Sequence, residues 1–392
     1  MFTRLEVDNF KSLVDFSMDM FPVTVIIGNN AVGKSAVLQV IDFLCRSVVE
    51  DFSVIINDRQ WNVENIKSKL VNSNKKIRFK SEISLMENEK TCKYRWEMDI
   101  TAYSEKNQML LARELLVDKE TDEILLSYSL QKGGVMMTMD GSVQMPVAFG
   151  MGASFLKMIV QQDMVDKRII KFKNFLMNSV SFEALSPQNM RLSSRGSAKN
   201  IGPSGRDLPS FMKQMSKQQK THFMDKLQQL LNNRIIDVQT QTKGKPGWTQ
   251  INVMEHYDKK NLIITSKELS DGMLRVLAFV AISEIETNQG IFLLDEIENG
   301  INSNYAEKLL EILGQVYKET GHQLVLTTHS TVFLDYVDKD SIVYLYRDEE
   351  GRTQAENLFA SDEMREQLEY MWPGEVILNL SPQEILEKIL KK

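Results

Sequence analysis

The sequence predicts an α/β fold in which a mixed sheet is flanked by helices and carries two insertions, an antiparallel β lobe and a helical segment. Three observations predict this fold. A buried strand, a glycine loop and a helix follow one another at residues 23–48. Strands and helices alternate again after residue 260. In between, residues 76–131 alternate polar and apolar positions with period two, which is typical of antiparallel strands.

The chain of 392 residues is predicted to divide into four parts. Residues 1–75 form the first part of the core domain, 76–150 the β lobe, 151–245 the helical insertion and 246–392 the second part of the core domain. Within the insertion, we expect helices near 154–165 and 209–233, separated by a Ser- and Gly-rich surface loop at 192–208. The turn-rich stretch 241–250 predicts a hinge.

Composition excludes several classes of protein. Hydrophobic residues make up 43% of the chain, which is enough to bury a large core. The net charge of -6 gives no overall attraction to nucleic acid or membrane, so any DNA contact needs a local basic patch. Cys45 and Cys92 are far apart, which fits a reducing cytosol and argues against a zinc site. The charged start is unlike a signal peptide, and no run of eighteen apolar residues predicts a membrane helix.

The strongest motif is "GNNAVGKS", Gly28 to Ser35, which fits the phosphate-binding pattern G-x-x-x-x-G-K-S between a strand and a helix. Backbone amides of the loop and the helix N-terminus favour phosphate groups. Lys34 is expected to reach the β and γ phosphates, and the Ser35 hydroxyl to bind Mg²⁺. The alternative is a glycine turn that binds nothing.

A second motif, "IFLLDEIENG" at 291–300, places two acids at the end of a buried strand. Asp295 fits the acid that positions Mg²⁺, and Glu296 fits a general base that polarises the attacking water. A strand followed by acids is common in proteins. Together with the phosphate-binding loop, however, it indicates an ATPase site.

A third motif, "LVLTTHS" at 324–330, ends a buried strand in His329 at the edge where open α/β sheets bind ligands. His329 is therefore a candidate contact for the γ-phosphate, although a lone histidine is more often structural. His222, His256 and His322 show no ligand-type spacing and are interpreted as structural.

The stretch "KELSDGMLRVLAF" at 267–279 places a polar turn before an apolar helix. Ser270 is a candidate N-cap, and the charge of Asp271 complements the helix dipole. These residues alone leave open whether the turn also has a binding function.

Together these segments resemble the ABC-like ATPases, which include the SMC and RecF proteins and the overcoming-lysogenization-defect family. The opening residues "LEVDNFKSLVDFSMDMFPVTVIIGNNAVGKSAVLQVI" resemble the N-terminal signature of that class, "LSDGMLRVLAF" its ABC signature, "LLDEIENGINSN" its Walker B region and "TTHS" its switch histidine. The resemblance covers residues 1–45, 182–212 and 262–340, and it implies a P-loop NTPase of ABC-ATPase type.

The resemblance implies ATP and Mg²⁺ as ligands and ATP hydrolysis as the activity. The implied catalytic residues are Lys34, Glu296 and His329, and the implied Mg²⁺ ligands are Ser35 and Asp295. The implied ATP-binding residues are Lys11, Ser12, Asn29, Asn30, Ala31, Val32, Gly33, Lys34, Ser35 and Ala36. Two features differ from the pattern or leave it incomplete: Asn302 stands where relatives commonly have histidine, and Gln131, Gln161 and Gln162 are all candidates for the Q-loop glutamine.

In this class, the signature of one subunit closes over the ATP bound by the other. The resemblance therefore implies a head-to-tail homodimer, or a higher even-numbered oligomer, in which Ser270, Asp271 and Gly272 act in trans on the partner's nucleotide.

Three functions remain open from the sequence. The first is an ATP-driven switch or scaffold for a separate effector, a nuclease or toxin, in anti-phage defence, since the motifs form an ATPase set without a second catalytic constellation. The second is a RecF-like ATPase that binds DNA in repair or recombination, which the basic clusters at 74–80 and 166–175 motivate. Those clusters also fit a solvated strand face. The third, a transport ATPase, is disfavoured by the β lobe and the N-terminal "DNFKS".

Overall fold

The computed structural model describes residues 1–71, 76–87, 90–145, 150–159, 164–183, 185–231, 234–244, 247–258, 260–286 and 289–391. Its strands are β1 (Phe2–Asp8), β2 (Phe16–Asp19), β3 (Val23–Ile27), β4 (Ile77–Glu87), β5 (Lys90–Tyr103), β6 (Gln108–Asp118), β7 (Glu123–Ser129), β8 (Gly133–Thr138), β9 (Gly141–Met145), β10 (Val180–Ser181), β11 (Ile235–Lys243), β12 (Trp248–Tyr257), β13 (Lys260–Thr265), β14 (Ile291–Leu294), β15 (Gln323–Thr327), β16 (Ile342–Arg347) and β17 (Thr353–Asn357).

Helices occupy much of the remaining described chain. They are α1 (Lys34–Ser47), α2 (Phe52–Asp58), α3 (Val63–Ile66), α4 (Lys167–Met177), α5 (Pro187–Met190), α6 (Leu208–Gln214), α7 (Lys217–Leu231), α8 (Asp271–Ile282), α9 (Ala306–Thr320), α10 (Thr331–Leu334), α11 (Asp362–Gln367), α12 (Pro373–Asn379) and α13 (Pro382–Leu390). Within the described residues, no helix is long and apolar enough to cross a membrane.

The central sheet has the strand order β10-β14-β15-β3-β16-β17. Its first five strands are parallel, and β17 pairs antiparallel with β16. The parallel strands β14 and β15 are buried at every position, as expected for strands that are covered on both faces. The predicted mixed α/β sheet flanked by helices is confirmed.

An eight-stranded antiparallel sheet, β2-β1-β4-β5-β6-β7-β8-β9, forms a second layer. Alternate residues of β5, among them Tyr94 and Trp96, are buried against the layer between the sheets. The predicted lobe at 76–150 shares this sheet with β1 and β2, which the prediction assigns to the first part of the core domain. As a division into domains, the four-part scheme remains a prediction.

Helices fill the space on both faces of the central sheet. On one face, α1 and α4 pack in a single apolar cluster with the antiparallel sheet. On the other face, α6, α7, α8 and α9 share a cluster with β14 and β15. Helix α8 is apolar over most of its circumference and is almost wholly buried, as such helices must be.

Residues 151–245 are less helical than the sequence predicts. The expected helix at 154–165 is a short 3₁₀ turn at Phe155–Met158, and residues 160–163 lie outside the described part of the chain. The expected helix at 209–233 is two helices, because Ser216 and Gln219 exchange side-chain to backbone hydrogen bonds as a capping box and start α7 anew.

The predicted hinge at 241–250 also differs from the structure. It falls within an antiparallel sheet of β11, β12 and β13, where Thr242 pairs with Thr249. Glycines and a proline mark the connection between two strands here, a signal that serves equally for a hinge and for a hairpin.

Candidate functional site

The glycine loop at 28–35 joins β3 to α1 and depends on two glycines. Gly28 has φ +142° and Gly33 has φ +115°, and both values favour glycine. A Cβ on Gly28 would lie 2.3 Å from the Leu345 carbonyl oxygen, and one on Gly33 would lie 2.5 Å from Thr353 Oγ1. The loop is therefore packed directly against the β16–β17 hairpin.

The first turn of α1 offers an anion site. No side chain caps this helix at Gly33, so its first amides and the positive end of its dipole attract a negative group. Lys34 Nζ donates to the carbonyl oxygens of Gly28 (2.8 Å) and Asn29 (3.0 Å). Burial lowers the pKa of Lys34, an effect that Asp295 and two nearby glutamates oppose. The loop thus presents free amides and a cation, the groups that a phosphate-binding site requires.

Ser35 and Asp295 meet across the site, although 260 positions separate them in the chain. The Ser35 hydroxyl donates to Asp295 Oδ2 at 3.1 Å, and Thr327 Oγ1 donates to the other carboxylate oxygen of Asp295. Hydroxyl and carboxylate oxygens are ligands that Mg²⁺ prefers. The donor set at this point fits Mg²⁺, as the sequence predicts for Ser35 and Asp295.

Glu296 follows Asp295 with a left-handed backbone, φ +48°. Two contacts hold it: its amide donates to Thr327 Oγ1 at 2.9 Å, and its Oε2 accepts from Asn299 Nδ2 at 2.8 Å. A non-glycine residue in this conformation costs energy and is found preferentially at functional sites. The turn directs the two adjacent acids differently: Asp295 bonds to Ser35, and the exposed Glu296 lines the cavity.

The turn that carries His329 is anchored by Glu298. Its carboxylate accepts from Thr328 Oγ1 at 2.8 Å and from the His329 amide at 2.6 Å. Two residues that sequence reasoning missed, Thr327 and Glu298, therefore tie the end of β15 to the acids after β14. Both residues lie inside quoted motifs, Thr327 in "LVLTTHS" and Glu298 in "IFLLDEIENG", but neither position was singled out.

A cavity of about 420 Å³ brings most of the predicted residues together. Its lining includes eleven predicted residues, Lys11, Ser12, Asn30, Ala31, Gly33, Lys34, Ser35, Ala36, Asp295, Glu296 and His329, and two further ones, Gln39 and Arg347. Asn29 and Val32, also predicted to bind ATP, are not among the lining residues. Asn29 bonds to Lys34 through its carbonyl, and Val32 is buried with its carbonyl bonded to Thr353.

Lys11 enters the cavity from the loop after β1, where its backbone is left-handed, φ +52°. Its Nζ donates to Gln39 Oε1 and lies 4.4 Å from the centroid of the Trp61 ring, a cation–π distance. Burial, followed by repulsion from Arg59, lowers the pKa of Lys11 to about 8. Trp61 and Gln39 were not foreseen, since Gln39 lies on α1, Trp61 lies between α2 and α3, and only the fold brings both to Lys11.

The three signature residues lie outside this cavity. Ser270 caps α8 by accepting from the Met273 amide at 3.2 Å, which confirms the N-cap prediction. Asp271 accepts from Arg191 at 2.5 Å. Gly272 packs so closely on the following motif that a Cβ there would lie 2.3 Å from the Gly300 carbonyl oxygen. Within one chain, the signature is thus separate from the phosphate-binding loop. The prediction pairs it instead with the loop of a partner chain.

Glu183 is a further acid near the site. It follows β10, whose Ser181 pairs with Leu293, so Glu183 stands level with Asp295 on the neighbouring strand. Arg59 joins the carboxylates of Glu183 and Asp42, the latter at 2.5 Å. Burial raises the pKa of Glu183.

The Q-loop candidates do not reach the cavity within the described residues. Gln131 lies in the turn between β7 and β8, and Gln161 and Gln162 lie outside the described part of the chain. Asn302, which stands in place of a histidine, accepts from the Asn304 amide at 3.0 Å and caps a short 3₁₀ turn.

In each basic cluster, one described residue forms ion pairs within the chain. Residues 72–75 lie outside the described part, and Lys80 of the first cluster pairs with Glu6 at 3.1 Å. In the second cluster, Arg168 pairs with three carboxylates, those of Asp118, Glu123 and Asp166. These partners fit a solvated, ion-paired face.

Comparison with known proteins agrees with this arrangement. The model of the family described as "AAA domain, putative AbiEii toxin, Type IV TA system" matches residues 23–132 and 161–335, well over half of the chain. No curated protein sequence matches.

Among solved structures, the chain is similar to an SMC head bound to the C-terminal winged-helix domain of ScpA, with a TM-score of 0.53, 13% identity, and coverage of 93% of this chain and 99% of that one. It also matches an SMC head domain from Thermotoga maritima, with a TM-score of 0.45, 13% identity, and coverage of 91% and 98%.

Proposed function

The chain belongs to the AAA-domain family described as putative AbiEii toxin, type IV TA system, and from this premise we propose that it binds and hydrolyses ATP as a switch for a separate effector protein. It is an ABC-like AAA ATPase by family and fold. ATP hydrolysis, dimerisation and the control of an effector protein are the parts that we propose.

One observation carries the hydrolysis proposal: the cavity joins the phosphate-binding loop to two acids and a histidine from distant parts of the chain. Lys34 and the first amides of α1 would hold the phosphates. Ser35 and Asp295 would hold Mg²⁺, which would neutralise phosphate charge. Glu296, exposed at the cavity wall, would take a proton from the attacking water, and His329 would contact the γ-phosphate.

Two variants test this assignment. Lys34→Ala should abolish ATP binding because it removes the cation of the loop. Glu296→Gln should retain ATP but lower the rate of hydrolysis by about 10²-fold or more, since it removes only the general base. Binding would be measured with a fluorescent ATP analogue and hydrolysis by phosphate release, with the exposed Lys318→Ala as the matched control. Wild-type hydrolysis by Glu296→Gln would show that the general base is another residue.

We further propose that the nucleotide is shared by two copies of the chain. The position of Ser270 outside the chain's own cavity supports a signature that acts on a partner's ATP, as do the exposed Ser270 and Asp271. Bound ATP would favour the closed pair because its γ-phosphate would contact both subunits.

The effector and the anti-phage role rest on the family alone. Its description reads putative AbiEii toxin of a type IV TA system, and on that association we propose a toxin or nuclease under ATP control as the partner of this chain. The internal ion pairs of the basic clusters give no support to the alternative, a RecF-like DNA-binding ATPase. Purification of Glu296→Gln protein from its native host, followed by identification of a stoichiometric partner protein, tests the proposal. Stoichiometric DNA in place of a protein would refute it.

A further inference from the structure

We propose that the β16–β17 hairpin is a clamp that holds the phosphate-binding loop in its nucleotide-binding shape, with Arg347 and Thr353 as positioning residues. The inference rests on the proposed ATP site and adds two residues to it that no motif marks. Both lie on the last two strands of the central sheet, more than 300 positions from the loop that they contact.

Arg347 holds the loop at Ala31. Its Nε and Nη2 atoms donate to the Ala31 carbonyl oxygen at 3.2 and 2.8 Å, and Nη1 donates to the Gly351 carbonyl at 2.5 Å. Ala31 has φ +63°, a conformation that residues other than glycine adopt rarely and that needs support from outside. The guanidinium supplies that support, and its bond to Gly351 holds the loop to the turn of the hairpin.

Thr353 holds the next residue. Its hydroxyl donates to the Val32 carbonyl at 2.7 Å. Because this uses the single proton of Thr353, the Ser12 hydroxyl, 2.7 Å away, must be the donor in the bond between the two hydroxyls. The Thr353 amide also donates to the Ser12 carbonyl at 2.9 Å. The hairpin therefore ties the loop after β1 and the phosphate-binding loop to one another.

Arg347 also contributes charge to the cavity that it lines. Its donors are directed to backbone carbonyls, and within the described residues it makes no ion pair with a carboxylate. A bound phosphate chain would therefore experience its positive charge, together with those of Lys11 and Lys34.

The clamp predicts a specific kinetic signature. Asp295 and Glu296 follow β14, which two intervening strands, β15 and β3, separate from the hairpin, so loss of the clamp should leave the acids in place. Nucleotide affinity should fall, and KM should rise, while kcat changes little. A residue with a merely structural role would instead lower the thermal stability of the nucleotide-free protein and the amount of active enzyme.

The test compares two pairs of variants. Arg347→Gln removes the clamping charge, and Arg352→Gln removes a charge from the same hairpin that pairs at 3.8 Å with Asp15 and not with the loop. Thr353→Val removes the hydroxyl, whereas Thr353→Ser keeps the hydroxyl and removes only the methyl group. We expect Arg347→Gln and Thr353→Val to weaken binding of a fluorescent ATP analogue about tenfold or more, with Arg352→Gln and Thr353→Ser close to wild type.

The outcomes separate the clamp from the site itself. Equal affinities of Arg347→Gln and Arg352→Gln, in a protein where Lys34→Ala abolishes binding, overturn the clamp and leave the proposed function standing. Unchanged binding by Lys34→Ala overturns the proposed function. If Arg347→Gln does not fold, the threonine pair decides: equal affinity of Thr353→Val and Thr353→Ser overturns the clamp, and a tenfold gap supports it.

Discussion

At the scale of single residues, His322, which directly precedes β15, is expected to make the stability of the protein depend on pH. His322 is fully buried and stacks on Phe292, with ring centroids 4.3 Å apart. The Thr320 hydroxyl donates to the Val316 carbonyl, so His322 Nδ1, 2.6 Å away, donates to that hydroxyl. Burial lowers the pKa of His322 to about 4. The histidine interpreted as structural from the sequence is therefore held neutral.

The stability of the protein should fall on acidification because of His322. The unfolded chain takes up its proton near pH 6.5, whereas the folded chain does so near pH 4. Between these values the unfolded state binds more protons, which costs about 2 kcal/mol of folding free energy at pH 5 relative to pH 7. Urea unfolding at both values should show this difference shrinking in His322→Gln and persisting in the exposed His256→Gln. An unchanged difference in His322→Gln would assign the acid sensitivity to other groups.

At the scale of elements, helix α8 combines a structural cap with a proposed binding role. The Ser270 cap satisfies one of the free amides of the first turn, and the helix is fully buried from residue 276 to residue 282. Gly272 touches the backbone at Gly300, so the start of α8 is coupled mechanically to the turn that follows the two acids. The signature residue Gly272 therefore contacts the segment that carries the acids, at Gly300, four positions after Glu296.

Ser270→Ala should separate the cap from the binding role. Loss of an N-cap costs about 1 kcal/mol, which in a chain of this size lowers Tm by no more than about 3 °C. If the hydroxyl also contacts a partner's ATP, the rate of ATP hydrolysis should fall by much more than this small loss of stability can explain. Ser361→Ala, which removes the N-cap of α11, is the matched control for stability. Equal activity of the two variants would restrict Ser270 to capping.

At the scale of the whole molecule, the strand order places the candidate site at the carboxyl edge of the central sheet. The loop after β3, the acids after β14 and the histidine after β15 all follow the carboxyl ends of adjacent parallel strands. The signature begins α8, which packs against Gly300, and it does not line the cavity. The proposed pair of chains, in which each signature faces the other chain's loop, is compatible with this separation.

Mixing two inactive variants should restore activity if the sites are composite. Lys34→Ala inactivates the phosphate-binding loop, and Ser270→Arg inactivates the signature. A mixed pair still contains one site in which both parts are intact. Recovery of up to about half of the wild-type rate is expected from purified mixed pairs, because each contains one intact site out of two. Phosphate release would be followed after co-purification through two different tags. Pairs that are shown to be mixed and remain inactive would contradict the shared site.

The sequence alone determined which segments are candidates for the site. "GNNAVGKS", "LLDE" and "TTHS" each join a strand to its functional residues over a few positions, so local spacing was enough to identify Lys34, Ser35, Asp295, Glu296 and His329. The fold class followed in the same way from alternating strands and helices. Their convergence in one cavity agrees with that prediction, although the chemical role of each residue awaits the experiments above.

The tertiary structure alone decided what surrounds these residues. Arg347 and Thr353 reach the glycine loop only because β16 pairs with β3, and Glu183 stands beside Asp295 only because β10 pairs with β14. The antiparallel sheet likewise takes β1 and β2 from the start of the chain. Such contacts depend on which strands become neighbours, and hydrogen bonding between distant strands leaves no mark in the spacing of residues along the chain.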